Sequence, residues 1–257
     1  MGAPRIEEVL AIADEAARVI MAHYARPSVR AEDKLDGSPV TDADHDANAL
    51  LTRELTRRWP HPLVSEESPL PPYEVRQQWP RFWLIDPLDG TRDFIAKTGE
   101  FGVNVALIEG GRPVLGVIVA PALGVAWMAA RGLGAHKREA GALRAIDCRH
   151  RRGPFIGLKS RFYSTAAVDA YLAAQEVDEV KVIGSTIKIG LIAEGAADVY
   201  MSPGHSKEWD TAPGQVIVEE AGGSLVVLET GQALTYGRAD PENPALVVRS
   251  ARLTPTA

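Results

Sequence analysis

Apolar residues recur at helical spacing in the first part of the chain. The positions that repeat at intervals of three and four are Ile6, Val9, Leu10, Ala13, Ala16, Ala17 and Ile20. This pattern predicts an amphipathic helix of about five turns that ends before Pro27. A second helix is predicted over residues 44–58, where apolar side chains again share one face and Trp59-Pro60 follows. The polar stretch between them, residues 33–42, contains Gly37 and Pro39 and predicts a turn or loop.

Short apolar runs of strand length follow the second helix. They cover residues 62–65, 82–85, 103–108, 114–119 and 125–129. Glu109-Gly-Gly-Arg-Pro113 separates the third and fourth runs, and these turn-forming residues predict a hairpin. The first half of the chain is therefore interpreted as helices packed on an antiparallel sheet.

The pattern changes after Gly132 to an alternation of strands and helices. Strands are predicted over residues 154–158, 180–183, 199–201 and 224–228, and helices over residues 165–174, 187–194 and 211–221. This alternation favours a layered α/β arrangement. Gly, Lys and Arg are frequent between residues 132 and 150. We therefore expect an N-terminal α+β subdomain over residues 1–135 and a C-terminal α/β subdomain over residues 136–257.

Composition and charge narrow the class of function. The 257 residues are 46% apolar and 24% charged, an ordinary composition for a folded soluble protein. The formal net charge of −6 lacks the basic footprint of a protein that binds nucleic acid. A phosphorylated substrate stays compatible with this charge, because bound divalent cations reverse the local field.

Cellular location is also indicated by the sequence. The single cysteine, Cys148, excludes an internal disulfide and a thiolate zinc cluster. The chain has no run of apolar residues long enough for a membrane span and no apolar signal segment near Met1. We expect a cytoplasmic protein.

Acidic residues stand at the ends of three predicted buried elements. The strand before Asp86 leads into Asp86-Pro-Leu-Asp-Gly-Thr91, where proline and glycine predict a turn that brings Asp86 and Asp89 together. Glu66-Glu67 follows another apolar run, and Asp210 stands near the start of a predicted helix. The alternatives are capping residues and a solvated loop. Convergent carboxylates repel one another unless a cation lies between them.

This set of ligands points to a hard cation. Carboxylate oxygens without sulfur or nitrogen ligands select hard cations, and one of these, Mg²⁺, typically bridges a few protein carboxylates to substrate phosphate. Two such ions, about 3.5–4 Å apart, stabilise the attacking and leaving oxygens of an in-line displacement. Such a set of residues is typical of phosphatases.

Several strings of residues resemble a known family. Asp86-Pro-Leu-Asp-Gly-Thr91 and Trp209-Asp-Thr-Ala-Pro-Gly214, with Glu66-Glu67 upstream, resemble the inositol monophosphatase superfamily of magnesium-dependent, lithium-sensitive phosphomonoesterases. Further strings, which begin at Lys34, Gly99, Pro113 and Gly184, are most similar to the bacterial 3′(2′),5′-bisphosphate nucleotidases. The resemblance implies an α/β fold of the inositol monophosphatase and fructose bisphosphatase type, a layered αβαβα sandwich.

The resemblance also implies a set of metal ligands. Glu66, Asp86 and the backbone carbonyl of Leu88 would hold one magnesium ion, and Asp86, Asp89 and Asp210 would hold a second. A third, weaker ion would use Glu66 and water, so that two or three ions are expected.

Catalytic and substrate-binding roles are implied in the same way. Asp44 and Thr91 match the pair that orients and helps deprotonate the attacking water, and Glu66 joins them as a catalytic residue. Lys188 matches a position near a second phosphate or the ribose; the alternative is an exposed lysine on an amphipathic helix. The substrate-binding residues implied are Asp89, Gly90, Thr91, Gly184, Ser185, Lys188 and Asp210. Tyr163 departs from the nucleotidase pattern, which has a histidine associated with substrate contact at that place.

Three functions are compatible with these residues. The first is hydrolysis of the 3′-phosphate of adenosine 3′,5′-bisphosphate to AMP and phosphate, a recycling step of sulfur assimilation. The second is the same chemistry on inositol monophosphate, histidinol phosphate or a sugar bisphosphate. The third is a silent metal-binding or nucleotide-binding regulator, which the presence of every implied ligand disfavours. The partner is a small phosphorylated molecule rather than nucleic acid, and the assembly is left open between a monomer and a homodimer.

Overall fold

The two N-terminal helices form as the hydrophobic pattern predicts. The protein is described by a computed structural model that covers residues 2–28, 30–34, 37–148 and 152–251. Helix α1 (Ile6–Tyr24) confirms the first prediction, and helix α2 (Asp42–Arg58) begins two residues earlier than predicted. The earlier start follows from a capping box, in which the Thr41 hydroxyl accepts from the Ala43 N–H at 3.2 Å and Asp44 accepts from the Thr41 N–H at 2.8 Å.

A short hairpin lies between these helices, and it corrects the prediction of a loop over residues 33–42. Strands β1 (Ala31–Asp33) and β2 (Pro39–Thr41) pair in antiparallel register. The turn is closed by the Lys34 N–H, which donates to the Ser38 carbonyl at 2.8 Å. Turn-forming residues were therefore correctly located, but the strands that they connect are too short and polar to show an apolar pattern. Leu35 and Asp36 lie outside the described residues.

The larger sheet has seven strands in sequence order. Its strands are β3 (Leu63–Ser65), β4 (Arg81–Asp89), β5 (Gly102–Glu109), β6 (Arg112–Ala120), β7 (Val125–Ala130), β8 (Ala135–Glu139) and β9 (Ala142–Ile146). Strand β3 is parallel to β4, and all other neighbours are antiparallel. The hairpin between β5 and β6 is confirmed. Two short helices, α3 (Tyr73–Arg76) and α4 (Thr91–Ile95), flank β4.

The smaller sheet has five strands in the order β11-β10-β12-β14-β13. They are β10 (Ile156–Lys159), β11 (Glu179–Val182), β12 (Val199–Ser202), β13 (Ser224–Val227) and β14 (Leu246–Arg249). The accompanying helices are α5 (Ala166–Ala174), α6 (Ile187–Ala193) and α7 (Glu208–Glu220). Helix α7 begins three residues before the predicted start, which places Asp210 inside its first turn.

The elements stack in five layers. Helices α1 and α2 cover one face of the larger sheet, while α6 and α7 fill the space between the two sheets. Helix α5 packs on the outer face of the smaller sheet. Close packing of α7 on the larger sheet requires glycine at position 116, since a Cβ there would lie 2.4 Å from the Pro213 carbonyl oxygen. The predicted αβαβα architecture is confirmed.

The division into subdomains at residue 135 stays a prediction. The larger sheet extends to Ile146, and Ala135 is the first residue of β8.

Within the described ranges, no helix has both the length and the apolar character needed to cross a bilayer.

Candidate active site

A cleft of about 430 Å³ lies where the two sheets approach each other. This volume is within the usual range for sites that bind small molecules. The predicted site residues that line the cleft are Glu66, Asp86, Leu88, Asp89, Gly90, Thr91, Gly184, Ser185, Lys188 and Asp210. Asp44 lies behind this surface and is fully buried. The fold therefore gathers residues that are far apart in the sequence.

Three carboxylates meet at the edge of the larger sheet. Because β3 and β4 are parallel and Ser65 pairs with Ile85, the residues that follow, Glu66 and Asp86, emerge side by side. Asp210 reaches the same point from the first turn of α7. Carboxylate oxygens of Glu66, Asp86 and Asp210 all lie within 4.8 Å of one another. We call these three residues the carboxylate cluster.

Local backbone geometry brings Asp86 and Asp89 to the cleft. Strand β4 does not end at Ile85 as the sequence suggested; it continues to Asp89 with a register shift between Asp86 and Asp89. Asp86 accepts a hydrogen bond from the Leu88 N–H at 3.0 Å. Gly90 then takes a left-handed conformation with φ +87°, and a Cβ there would approach the Glu100 carbonyl oxygen to 3.0 Å. A bulge in strand β4, rather than the predicted turn, therefore brings Asp86 and Asp89 to the cleft.

Asp89 lies beside the carboxylate cluster but has partners of its own. Its carboxylate accepts a hydrogen bond from the Ser185 hydroxyl and another from the Thr186 N–H at 2.5 Å. These bonds tie the segment before α6 to the end of strand β4. The assignment of Asp89 as a metal ligand stays a prediction.

Asp44 and Thr91 are in direct contact, as the sequence implied. Thr91 Oγ1 lies 3.2 Å from Asp44 Oδ1 and 3.1 Å from the Leu88 carbonyl oxygen, and its single proton can be donated to only one of them. The other Asp44 oxygen accepts from the Thr41 N–H at 2.8 Å and from the Thr41 hydroxyl at 2.5 Å. Burial raises the pKa of Asp44, although the bonds from Thr41 act in the opposite direction. Thr91 is thus connected to a buried carboxylate.

Lys34 is a site residue to which sequence reasoning gave no role. Its ammonium group donates to Glu66 Oε1 at 2.8 Å and to Glu67 Oε1 at 2.6 Å. Burial alone would lower the pKa of Lys34, but the charges and hydrogen bonds of the two glutamates raise it by more. Lys34 belongs to one of the strings that resemble the family, but no spacing rule pairs residues that lie 32 positions apart.

Lys188 is not the exposed lysine of the alternative interpretation. It is only 4% exposed and lines the cleft. Its Nζ donates to the Ser185 carbonyl at 2.5 Å and to the Ile183 carbonyl at 3.2 Å, and it lies 5.0 Å from the centre of the Tyr200 ring. Within the described chain these partners include no carboxylate. The charge of Lys188 is therefore available to an anion in the cleft.

The carboxylate cluster is electrostatically suited to a hard cation. Burial raises the pKa of Asp86 well above its ordinary value, and the negative charges of Glu66, Asp89 and Asp210 raise it further. The pKa of Asp210 is raised well above its usual range by burial and by Asp89 and Glu66. Both shifts express first the cost of burying a charged carboxylate and then the repulsion between like charges. Among the described residues, the three that group as possible metal ligands all offer carboxylate oxygens, and this chemistry fits Mg²⁺.

We expect magnesium to stabilise the protein more at higher pH. Carboxyl groups with raised folded-state pKa values favour the metal-free fold at low pH, and this contribution is lost as the pH rises and they ionise. The ionised groups are the ones that bind the cation. Saturating magnesium should raise the melting temperature by roughly 5–10 °C at about pH 8, and by much less at about pH 5.5. Thermal melts at both pH values measure this, and an equal shift at both would contradict it.

Comparisons with known proteins agree with this fold and site. A sequence model of the inositol monophosphatase family matches residues 4–255. The chain belongs to the inositol monophosphatase family, which confirms the resemblance found in the sequence.

The most informative relatives are bacterial nucleotidases. The 3′(2′),5′-bisphosphate nucleotidase CysQ of Salmonella typhimurium is 44% identical over 220 residues, which cover 84% of this chain and 88% of that protein. The protein of the same name from Aggregatibacter actinomycetemcomitans is 37% identical and covers 95% of this chain and 91% of its own.

Solved structures show the same architecture. The crystal structure of CysQ from Bacteroides thetaiotaomicron, a bacterial member of the inositol monophosphatase family, superposes with a TM-score of 0.84 at 33% identity. That match covers 96% of this chain and 97% of the other. An inositol monophosphatase from Thermotoga maritima gives a TM-score of 0.80 at 22% identity and supports the fold alone.

Proposed function

We propose that this protein is a magnesium-dependent 3′(2′),5′-bisphosphate nucleotidase that removes the 3′-phosphate of adenosine 3′,5′-bisphosphate. The products are AMP and inorganic phosphate. The observation that carries the proposal is a cleft that contains both the carboxylate cluster and Lys188, a buried cation that contacts no carboxylate among the described residues. The bacterial relatives named above carry the name of this activity.

The residues that would hold magnesium are Glu66, Asp86, Asp89, Asp210 and the carbonyl oxygen of Leu88, and two or three ions would bind. When bound, the metal neutralises charge on the phosphate and makes a water molecule more acidic. Glu66 and Asp86 are already adjacent because their strands are parallel. The ammonium group of Lys34 partly neutralises the negative charges of Glu66 and Glu67.

Thr91 and Asp44 would direct the attacking water. The Thr91 hydroxyl, when it donates to Asp44, leaves its lone pairs free to accept a hydrogen bond from water in the cleft. Asp44 is fully buried and held by Thr41, so its orientation is fixed. The raised pKa of Asp44 makes it a better proton acceptor than an exposed carboxylate. The pair would thereby orient the water and help remove its proton.

A second, unreacting phosphate would bind near Lys188. The ammonium group is held by two backbone carbonyls at fixed distances, so its position does not depend on the ligand. Ser185, which bonds Asp89, connects this region to the carboxylate cluster. A substrate with two phosphates would contact both the metal-binding carboxylates and Lys188. A monophosphate would contact only the metal-binding carboxylates. The cytoplasmic location stays a prediction, and the assembly stays open between a monomer and a homodimer.

A panel of phosphate-release assays tests this proposal. The substrates are adenosine 3′,5′-bisphosphate, inositol 1-phosphate, histidinol phosphate and fructose 1,6-bisphosphate, each with and without magnesium. We expect kcat/KM for adenosine 3′,5′-bisphosphate to exceed every other value by at least about tenfold, since this is the only substrate of the panel that combines two phosphates with a nucleobase. No substrate should be hydrolysed without the metal.

The panel also separates the competing functions. A higher kcat/KM for inositol 1-phosphate, histidinol phosphate or fructose 1,6-bisphosphate would replace the proposed substrate by that one. Absence of turnover with every substrate would favour a silent regulator. The Asp86→Asn variant, purified in parallel, controls for contaminating phosphatases.

A further inference from the structure

A buried amide with a free donor lies beside the carboxylate cluster. Asn104 belongs to strand β5 and is fully buried. Its Oδ1 accepts a hydrogen bond from the Thr186 hydroxyl at 3.0 Å, but its Nδ2 has no hydrogen-bond partner among the described residues. An unpaired buried donor destabilises a fold, and native proteins retain few of them. Asn104 therefore keeps its free donor at a cost to stability.

Asn104 is the cross-strand neighbour of Asp86. The two residues are paired in the antiparallel register of β4 and β5. Side chains of such a pair lie on the same face of the sheet, with Cβ atoms about 4.5–5.5 Å apart. Asp86 Oδ1 accepts from the Leu88 N–H, and no other hydrogen bond from the described residues reaches this carboxylate. A free donor and a carboxylate with spare acceptor capacity are thus neighbours.

The same amide is connected to Asp89 through Thr186. The Thr186 N–H donates to the Asp89 carboxylate at 2.5 Å, while the Thr186 hydroxyl donates to Asn104. Thr186 directly precedes helix α6 and lines the cleft. Asn104 therefore lies between two predicted metal ligands, one on the adjacent strand and one reached by way of Thr186.

The position and chemistry of Asn104 suit a supporting role. It is not among the residues that line the cleft, so it acts through its neighbours rather than on a substrate. Carboxylates that bind a metal are themselves commonly held by hydrogen bonds from residues that do not touch the metal. A neutral amide can donate such a bond without a positive charge that would compete with a cation.

We propose that Asn104 is a positioning residue of the metal site, whose Nδ2 donates to the Asp86 carboxylate when that group is charged and holds magnesium. This inference rests on the proposed magnesium-dependent function. Thr186 holds Oδ1 of the amide and thereby sets the plane in which Nδ2 lies. The hydrogen bond then fixes the direction of Asp86 relative to the other carboxylates. Asn104 contributes to metal affinity without being a ligand.

The experiment measures magnesium binding in the absence of substrate. Titration calorimetry and the magnesium-dependent rise in melting temperature are compared for wild type and Asn104→Leu, in which leucine keeps the branched outline but removes both polar atoms. We expect the magnesium concentration at half-saturation to rise by about 10- to 100-fold. The melting temperature without metal should change by less than about 3 °C, since an unpaired donor is removed and the Thr186 hydroxyl can bond to water in the cleft.

Thr186→Val tests the same hydrogen bond from its other end. Valine keeps the shape of the side chain and the N–H that donates to Asp89, and it removes only the hydroxyl that orients the amide. We expect half-saturation to shift upward by about 3- to 10-fold. The double variant Asn104→Leu/Thr186→Val should bind magnesium as Asn104→Leu does, because the hydroxyl acts through the amide and the two effects are not additive.

A buried amide elsewhere supplies the matched control. Gln215 is fully buried, donates to the Leu234 carbonyl at 3.3 Å and does not line the cleft. Gln215→Leu should lower the melting temperature and leave half-saturation within about twofold of wild type.

Three results would decide against the proposal. Half-saturation in Asn104→Leu within about twofold of wild type, or full additivity with Thr186→Val, would overturn it and leave the magnesium-dependent function intact. If Asn104→Leu did not fold, unchanged magnesium binding in Thr186→Val would overturn it alone. Failure of wild type to bind magnesium would instead remove the proposed function itself.

Discussion

Asp86→Asn should lower kcat for magnesium-dependent phosphate release by at least roughly 1,000-fold without loss of folding stability. Asp86 is 1% exposed, and its carboxylate lies within 4.8 Å of those of Glu66 and Asp210 in the carboxylate cluster. Asparagine preserves its shape and can still accept from the Leu88 N–H. Removal of one like charge relieves repulsion in the metal-free protein, so the melting temperature without magnesium should stay constant or rise. Activity assays and thermal melts measure the two effects.

A buried aspartate elsewhere in the fold supplies the matched control. Asp198 is fully buried, accepts from the Ile156 N–H at 2.8 Å and from the Ser250 hydroxyl at 3.2 Å, and is not part of the cleft. Asp198→Asn should show the opposite pattern, with reduced stability and retained kcat. The substitution weakens buried hydrogen bonds and leaves the carboxylate cluster unchanged. Wild-type turnover in Asp86→Asn, or a magnesium-dependent rise in its melting temperature equal to wild type, would refute the assignment of the carboxylate cluster as a metal site.

Residues at the ends of buried strands explain why the carboxylate cluster could be predicted. Glu66 and Asp86 each follow a run of apolar residues, and parallel pairing of β3 and β4 is enough to bring them together. The sequence could not show how Asp86 and Asp89 reach the cleft, because a bulge and a turn share the same proline and glycine signals. The types of residue are therefore more predictable than the backbone that presents them.

In the sequence, helix capping and metal binding are alternative roles for Asp210. In the structure, the residue both accepts a capping hydrogen bond and lies in the carboxylate cluster. Asp210 and Asp44 each occupy the third position of a helix and accept a hydrogen bond from the backbone N–H three residues earlier. In Asp44 this bond fixes Oδ2, while Oδ1 faces Thr91. Asp210 combines the same kind of bond with a place in the carboxylate cluster. A capping signal is thus compatible with a role in the site.

Other features have no signal in the hydrophobic pattern. Strands β8 and β9 carry charged or exposed residues and lie where a subdomain boundary was expected. Lys34 reaches Glu66 and Glu67 only through the hairpin of β1 and β2, which polar residues build. Such contacts depend on tertiary placement, so local periodicity does not encode them.

Thr91→Ala should reduce kcat for adenosine 3′,5′-bisphosphate by roughly 100- to 1,000-fold while KM changes little. The Thr91 hydroxyl lies between Asp44 at 3.2 Å and the Leu88 carbonyl at 3.1 Å, and it lines the cleft. Alanine removes the hydroxyl that connects the buried Asp44 carboxylate to the cleft. The contacts made by Lys188 and the carboxylate cluster are untouched, so binding of the substrate persists.

Thr91→Ser is the matched control for this prediction. Serine keeps the hydroxyl and loses only the methyl group, so its kcat should stay within about tenfold of wild type. Comparison of the two variants in steady-state assays at saturating magnesium isolates the hydroxyl from the rest of the side chain. If magnesium affinity, measured by titration, fell in Thr91→Ala as much as kcat did, the residue would act on the metal rather than on the water. Equal losses of kcat in alanine and serine variants would show that the methyl group and its packing, not proton relay through Asp44, explain the effect.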